Sequence, residues 1–192
     1  MTSCVEIPPD ASAILKEAAA WRLVSLLFEC PGRGWAEQVS TLSRETGDAS
    51  LTMAAEAARR EATPALYHST FGPGGPAGPR EVSYRRRVLP GAVLAELGDL
   101  YEAFGYRPSV DEPPDHVAVE TGFVAYLHFK EAYARACGDP AHSELCAKVA
   151  QRFIREHVSR IAEPLAGSLT CSGIAYLAAA AEALRSRAGP AL

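Results

Sequence analysis

Residues 112–127 read EPPDHVAVETGFVAYL, and the fold turns on how this stretch is parsed. Pro113 and Pro114 each disfavour helical geometry in the residue before them, so no helix runs in from upstream. Asp115 therefore falls at a helix start, where a carboxylate can accept orphan backbone N–H groups as an N-cap. Downstream, Phe123, Val124, Tyr126, Leu127 and Phe129 point around most of a helix circumference. A helix apolar nearly all round belongs in the middle of a bundle. Its acidic first turn is then the end expected to face solvent, with His116 and Glu120, four residues apart, on one face.

The flanking sequence has the same helical period. Asp10 and Ser12 offer N-caps for a first helix whose Ile14, Ala18, Trp21, Leu23, Val24, Leu27 and Phe28 form a broad apolar face. PGRG at 31–34 ends it. Shorter helical segments are expected at 35–46 and 49–62, then one carrying Leu66, Tyr67 and Phe71. FGPGGPAGPREVSYRRRVLPG (71–91) is the clearest loop: its prolines and glycines forbid regular structure from about 72 to 80, and a flexible segment is expected over about 72–90. Pro90 suits the first turn of a further helix closed by Gly105. The quoted stretch opens a helix to about 137, and two more are expected at 141–164 and 171–187. No run alternates with period two for long; EVSYRRRVL (81–89) is nearest and stands alone. The expectation is an all-α, single-domain bundle of seven to nine helices spanning residues 1–192.

Composition narrows the function classes. Lys+Arg 19 against Asp+Glu 23 leaves a net charge of −4, which argues against a nucleic-acid binder that works by phosphate neutralisation. The five cysteines are odd in number and scattered, with no C-x-x-C, which fits reduced thiols in the cytoplasm. MTSCVEIPPD at the N-terminus lacks the charged-then-apolar order of a signal peptide. The longest apolar tract, GIAYLAAAA (173–181), is too short to span a bilayer, so no stable membrane insertion is expected.

Several motifs hold little chemistry. Gly72-x-Gly74 resembles a dinucleotide fingerprint, but a helix precedes it and prolines fill its gaps. Arg85-Arg86-Arg87 is a short basic cluster of the kind that is simply solvated. Cys137, His142 and Cys146 lack the further partners of a four-ligand metal site. The acidic edge is more informative. Asp111, Glu112, Asp115 and Glu120 place four carboxylates beside an apolar run. Such an edge suits a cationic ligand with an apolar continuation, arginine above all, because carboxylates accept its planar fork bidentately. The alternative is a helical metallohydrolase using His116, Glu120 and a distant histidine such as His68 or His157.

PPDHVAVE (113–120), with Glu112 before it, resembles the E-x-P-D-H-x-x-x-E signature of the TorD/DmsD family of molybdoenzyme-maturation chaperones. Tyr67-His68-Ser69-Thr70-Phe71-Gly72-Pro73 is similar to that family's Y-x-x-L-F-x-G-P segment, one residue shorter before the glycine. Phe104-Gly105 and Phe153…His157 match in order and approximate spacing, and the resemblance covers about residues 11–187. It implies an all-helical, non-catalytic cytoplasmic chaperone without a cofactor of its own. Such a protein binds the twin-arginine leader of a partner oxidoreductase until the partner's molybdenum cofactor is inserted. Asp115 and His116 match positions implicated in leader binding; Glu112, Glu120, Tyr67, Phe71, Gly72 and Pro73 match the rest of the two signatures. Some members bind guanine nucleotides, with no residue carried over here. The chain departs from the pattern at Pro79–Tyr84, which lacks a tryptophan, and at Thr121-Gly122, where a helical glycine costs about 1 kcal/mol.

Overall fold

The computed structural model describes residues 8–190. Cys4 and most of the MTSCVEIPPD segment read above lie outside the described residues. Nine α-helices are present among those described: α1 (Pro9–Leu27), α2 (Trp35–Thr46), α3 (Ala49–Glu61), α4 (Pro64–Phe71), α5 (Pro90–Phe104), α6 (Val117–Ala136), α7 (Pro140–Phe153), α8 (Ser159–Thr170) and α9 (Ala175–Ala188). The all-α expectation holds. A 3₁₀ turn spans Glu81–Ser83, and a π-turn, Ile154–Val158, joins α7 to α8.

Local chemistry explains the boundaries. Prolines sit in the first turn of α1, α4, α5 and α7, where the missing N–H is no loss and the fixed φ is preorganised. Side chains also cap α3, α4 and α7. Asp48 accepts from the Ser50 and Leu51 amides, Thr63 from Leu66, and Asp139 from His142. Gly105 closes α5 at φ 68°, a left-handed geometry that favours glycine.

The helix from the opening stretch is central, as its all-round apolar pattern demands. α6 packs chiefly on α1 and α7, while α9 closes the far side against α3 and α8. Phe123 joins an aromatic cluster with Tyr101, Tyr106 and Phe153, ring centroids 4.8, 5.3 and 4.9 Å away. Burying a side chain of this size contributes roughly 1.5–3 kcal/mol.

Three local expectations change. The helix expected at 141–164 is one rod in three parts, α7, π-turn and α8. The extra residue of the π-turn lets Phe153, His157, Val158 and Ser159 all face inward while Arg155 and Glu156 stay outside. The rod also continues through Pro164 to Thr170. Full burial of Ile161, Leu165 and Leu169 outweighs the roughly 3 kcal/mol that an interior proline costs. Lastly, only Glu81–Ser83 of EVSYRRRVL take a regular form, the 3₁₀ turn, and the sole β-like contact among the described residues is an isolated antiparallel bridge between Arg80 and His116.

Candidate functional site

The Asp-His pair lies inside the protein, not on its rim. Asp115, His116 and Glu120 are all 1% exposed or less, whereas Glu112 is half-buried and Asp111 exposed. The solvent-facing acidic edge expected from sequence is thereby reduced to Asp111 and Glu112. The N-cap of α6 is also one residue later than expected. His116 Nδ1 accepts from the Ala118 amide at 3.1 Å, while Asp115 is turned away from the helix.

That cap fixes the imidazole's tautomer. With its Nδ1 lone pair occupied, His116 carries its proton on Nε2, which faces Tyr67 Oη at 3.2 Å. Tyr67 in turn donates to Glu112 Oε1 at 2.9 Å. A relay of His116, Tyr67 and Glu112 thus runs from the helix start to the surface. Burial holds His116 down to about 4, against the pull of Glu112 and Asp115, so the ring is neutral at physiological pH. Tyr67 is pushed up by burial and by its Glu112 partner.

Asp115 instead fastens the proline-rich segment. Arg80 grips its Oδ1 through Nε at 2.9 Å and Nη2 at 2.8 Å, and the Val82 amide reaches Oδ2 at 3.3 Å. Backbone bonds from Glu81 N–H to Asp115 O and from Val117 N–H to Pro79 O complete the stitch. Residues 79–82 are therefore a strap tied to the start of α6, within the segment expected to be flexible.

Beneath the strap lies a second buried group. Glu81 pairs with Arg85 Nε at 2.6 Å and accepts from His157 Nδ1 at 3.1 Å. Glu120 adjoins Glu81. As a carboxylate, Glu120 would have no donor to either oxygen. Burial first, and then the Glu81 charge, raise it well above the usual carboxylate range, and protonated it becomes a donor to Glu81. In the sequence Arg80 and Glu81 stand out only as part of the departure at Pro79–Tyr84, and Arg85 only as part of a solvated basic cluster. The one usable signal was the i, i+4 spacing of Glu81 and Arg85.

A separate groove of about 410 Å³ runs between α1, α2 and α6. Leu15, Ala18, Leu42, Ala125, Tyr126 and Phe129 form its apolar walls, with Arg22 and Arg107 also lining it. Gly122 lies on its floor, and a Cβ there would sit 2.5 Å from Tyr106 Oη. The departure at Thr121-Gly122 thus makes room for Tyr106, which joins Val119 O at 3.2 Å. In the other signature, Tyr67 is buried, Phe71 and Gly72 are half-buried and Pro73 is exposed. Phe71 packs edge-on against Tyr67 at 5.2 Å.

The histidines proposed for a metal site are not brought together with His116 and Glu120 in a ligand set. No group of three or more His, Cys, Asp or Glu among the described residues is arranged to hold a metal ion. Cys137 and His142 are exposed while Cys146 is buried, and His142 Nδ1 pairs with Asp139. No helix among the described residues is long and apolar enough to cross a membrane.

The family model described as nitrate reductase delta subunit matches residues 33–166. A crystal structure from Archaeoglobus fulgidus, of a protein whose assigned role is redox enzyme maturation, superposes with a TM-score of 0.54 at 18% identity. That match covers 88% of this chain and 92% of the other, and at this identity it speaks to the fold alone. No curated protein matches the chain.

Proposed function

From the premise that this chain belongs to the nitrate reductase delta subunit family, whose TorD-type members are maturation chaperones for redox enzymes, we propose that it binds the twin-arginine leader of an exported molybdenum-cofactor oxidoreductase. Binding would hold the apo enzyme in the cytoplasm until its cofactor is inserted. The observation that carries this reading is the double use of the segment between α5 and α6. Tyr106, Arg107 and Ser109 line the apolar groove, and the half-buried Glu112 follows three residues later. A peptide with arginines beside an apolar run can place the run in the groove and a guanidinium on Glu112. Arg107 repels the leader's arginines from the groove and so favours that orientation, whereas Arg22 is paired with Glu29. Asp115, His116 and Glu120 then act from beneath. His116 and Tyr67 aim Glu112, and Asp115 holds the strap. Phe71, Gly72 and Pro73 flank the same end. Guanine nucleotide has no assigned residue in this scheme.

Calorimetry with the cognate leader tests this. Arg-Arg→Lys-Lys in the peptide and Glu112→Gln in the protein are each expected to weaken binding about tenfold or more, the worth of a charge-assisted hydrogen bond. Ala125→Trp, which fills the groove, is expected to abolish it. Equal binding by all four combinations would remove the proposed geometry.

A further inference from the structure

We infer that the cleft between α5 and the π-turn is a second binding site, one that takes a guanidinium group carried by a partner polypeptide; only the source of that group rests on the chaperone reading. The cleft has a volume of about 590 Å³ and is walled by Ala95 and Leu100 with Glu96, Asp99, Glu156 and Arg152. Three carboxylates therefore face one guanidinium, and that one is held loosely, Arg152 Nε lying 3.7 Å from Glu156.

Acidic side chains on a surface are ordinary; the histidine behind them is not. His157 is 1% exposed, and its Nδ1 proton goes to Glu81. Its Nε2 has no hydrogen-bond partner. The group it faces is Glu96 Oε1 at 3.9 Å, too far for a direct hydrogen bond. Phe153 stacks on the ring at 4.8 Å and fixes its plane. His157 lies within the π-turn, and such turns recur at functional sites. What the pair lacks is a donor with more than one N–H. A guanidinium has five in a planar fork, enough to bond a carboxylate and the imidazole nitrogen together, whereas an ammonium is a point donor. Glu96 is 54% exposed and free to swing outward as the cation enters.

The test is ¹⁵N NMR of the full chain, following the His157 imidazole during titration with Nα-acetyl-arginine methylamide. Nα-acetyl-citrulline methylamide serves as the neutral control of equal shape, and KCl as the ionic-strength control. A saturable shift of the His157 Nε2 resonance with the arginine compound alone is expected. In Glu96→Gln/Asp99→Asn its Kd should rise tenfold or more, while an unmoved His116 resonance shows that the fold is intact. The inference is overturned if no saturable shift appears, if citrulline acts equally, if the double variant binds as well, or if Nε2 already carries a proton near pH 7. Leader calorimetry separates this from the chaperone reading. Leader binding without a His157 response removes the cleft alone; a His157 response without leader binding removes the leader alone.

Discussion

His116, the N-cap of α6, and Glu120 in its first turn are both buried and both neutral, and they pull stability in opposite directions with pH. His116 is held at about 4 from an ordinary 6.5. Between those values the unfolded chain takes up a proton that the folded chain refuses, and stability falls on acidification. Glu120 is raised by burial and by Glu81 from an ordinary 4.5. Its contribution is whole below 4.5 and is lost as pH climbs, because the unfolded chain ionises while the folded one keeps its proton. Between 4.5 and 6.5 the two slopes cancel, and above 6.5 Glu120's remains. Glu120→Gln removes that slope. The stability of the variant relative to the natural protein should climb by about 1.4 kcal/mol per pH unit from 4.5 upward. Urea unfolding of both proteins at pH 5, 6, 7 and 8 measures the difference directly, and a pH-independent difference would show that Glu120 ionises in the fold.

At the scale of elements, the strap at residues 79–82 depends on one buried ion pair. Arg80→Ala leaves the Asp115 carboxylate, at 0% exposure, with the Val82 backbone amide as its one remaining donor. Stranding a buried charge in this way costs about 3 kcal/mol or more. Asp115→Asn should cost less, about 1–2 kcal/mol, since Arg80 is 36% exposed and can turn to water. Hydrogen exchange localises the effect. In Arg80→Ala the amides of Glu81 and Val117, which bond Asp115 O and Pro79 O, should lose protection. Those of α3 and α9 should keep theirs, because their contacts lie on the far side of the bundle. Uniform loss of protection would mean that the ion pair supports the whole fold and not the strap. The π-turn belongs to this scale as well. Its sequence, IREHV, has no proline or glycine to mark an extra residue; the mark is the one-residue shift of the buried register, from Ala150, Phe153 and His157 before it to Val158, Ile161, Leu165 and Leu169 after it.

For the whole molecule, helix starts and stops were legible because proline, glycine and capping side chains act locally, and α6 declared its central place by being apolar all round. The candidate site was legible as a set of residues but not as a geometry. Period and spacing place Asp115, His116 and Glu120 near a helix start, yet whether they face water depends on what covers them. Here the cover is the strap, thirty-odd residues upstream, whose Arg80 and Glu81 meet them only in the fold. Gly122 likewise reads as a helix defect in the sequence, whereas in the fold Tyr106 occupies the space a side chain would need. The resulting architecture makes a prediction about the protein as a unit. The groove is walled by α1, α2 and α6, and Glu112 is braced by Tyr67 of α4. A ligand spanning them should therefore stabilise the folded state as a whole. At a leader concentration a hundredfold above its Kd, binding to the folded chain alone adds about 2.7 kcal/mol. For a domain of this length that corresponds to a rise in melting temperature of about 5–10 °C. Thermal unfolding by circular dichroism should show that rise with the cognate leader and a smaller one with its Lys-Lys form at the same concentration. With Ala125→Trp no rise should appear. A rise that survives Ala125→Trp would place the leader outside the groove.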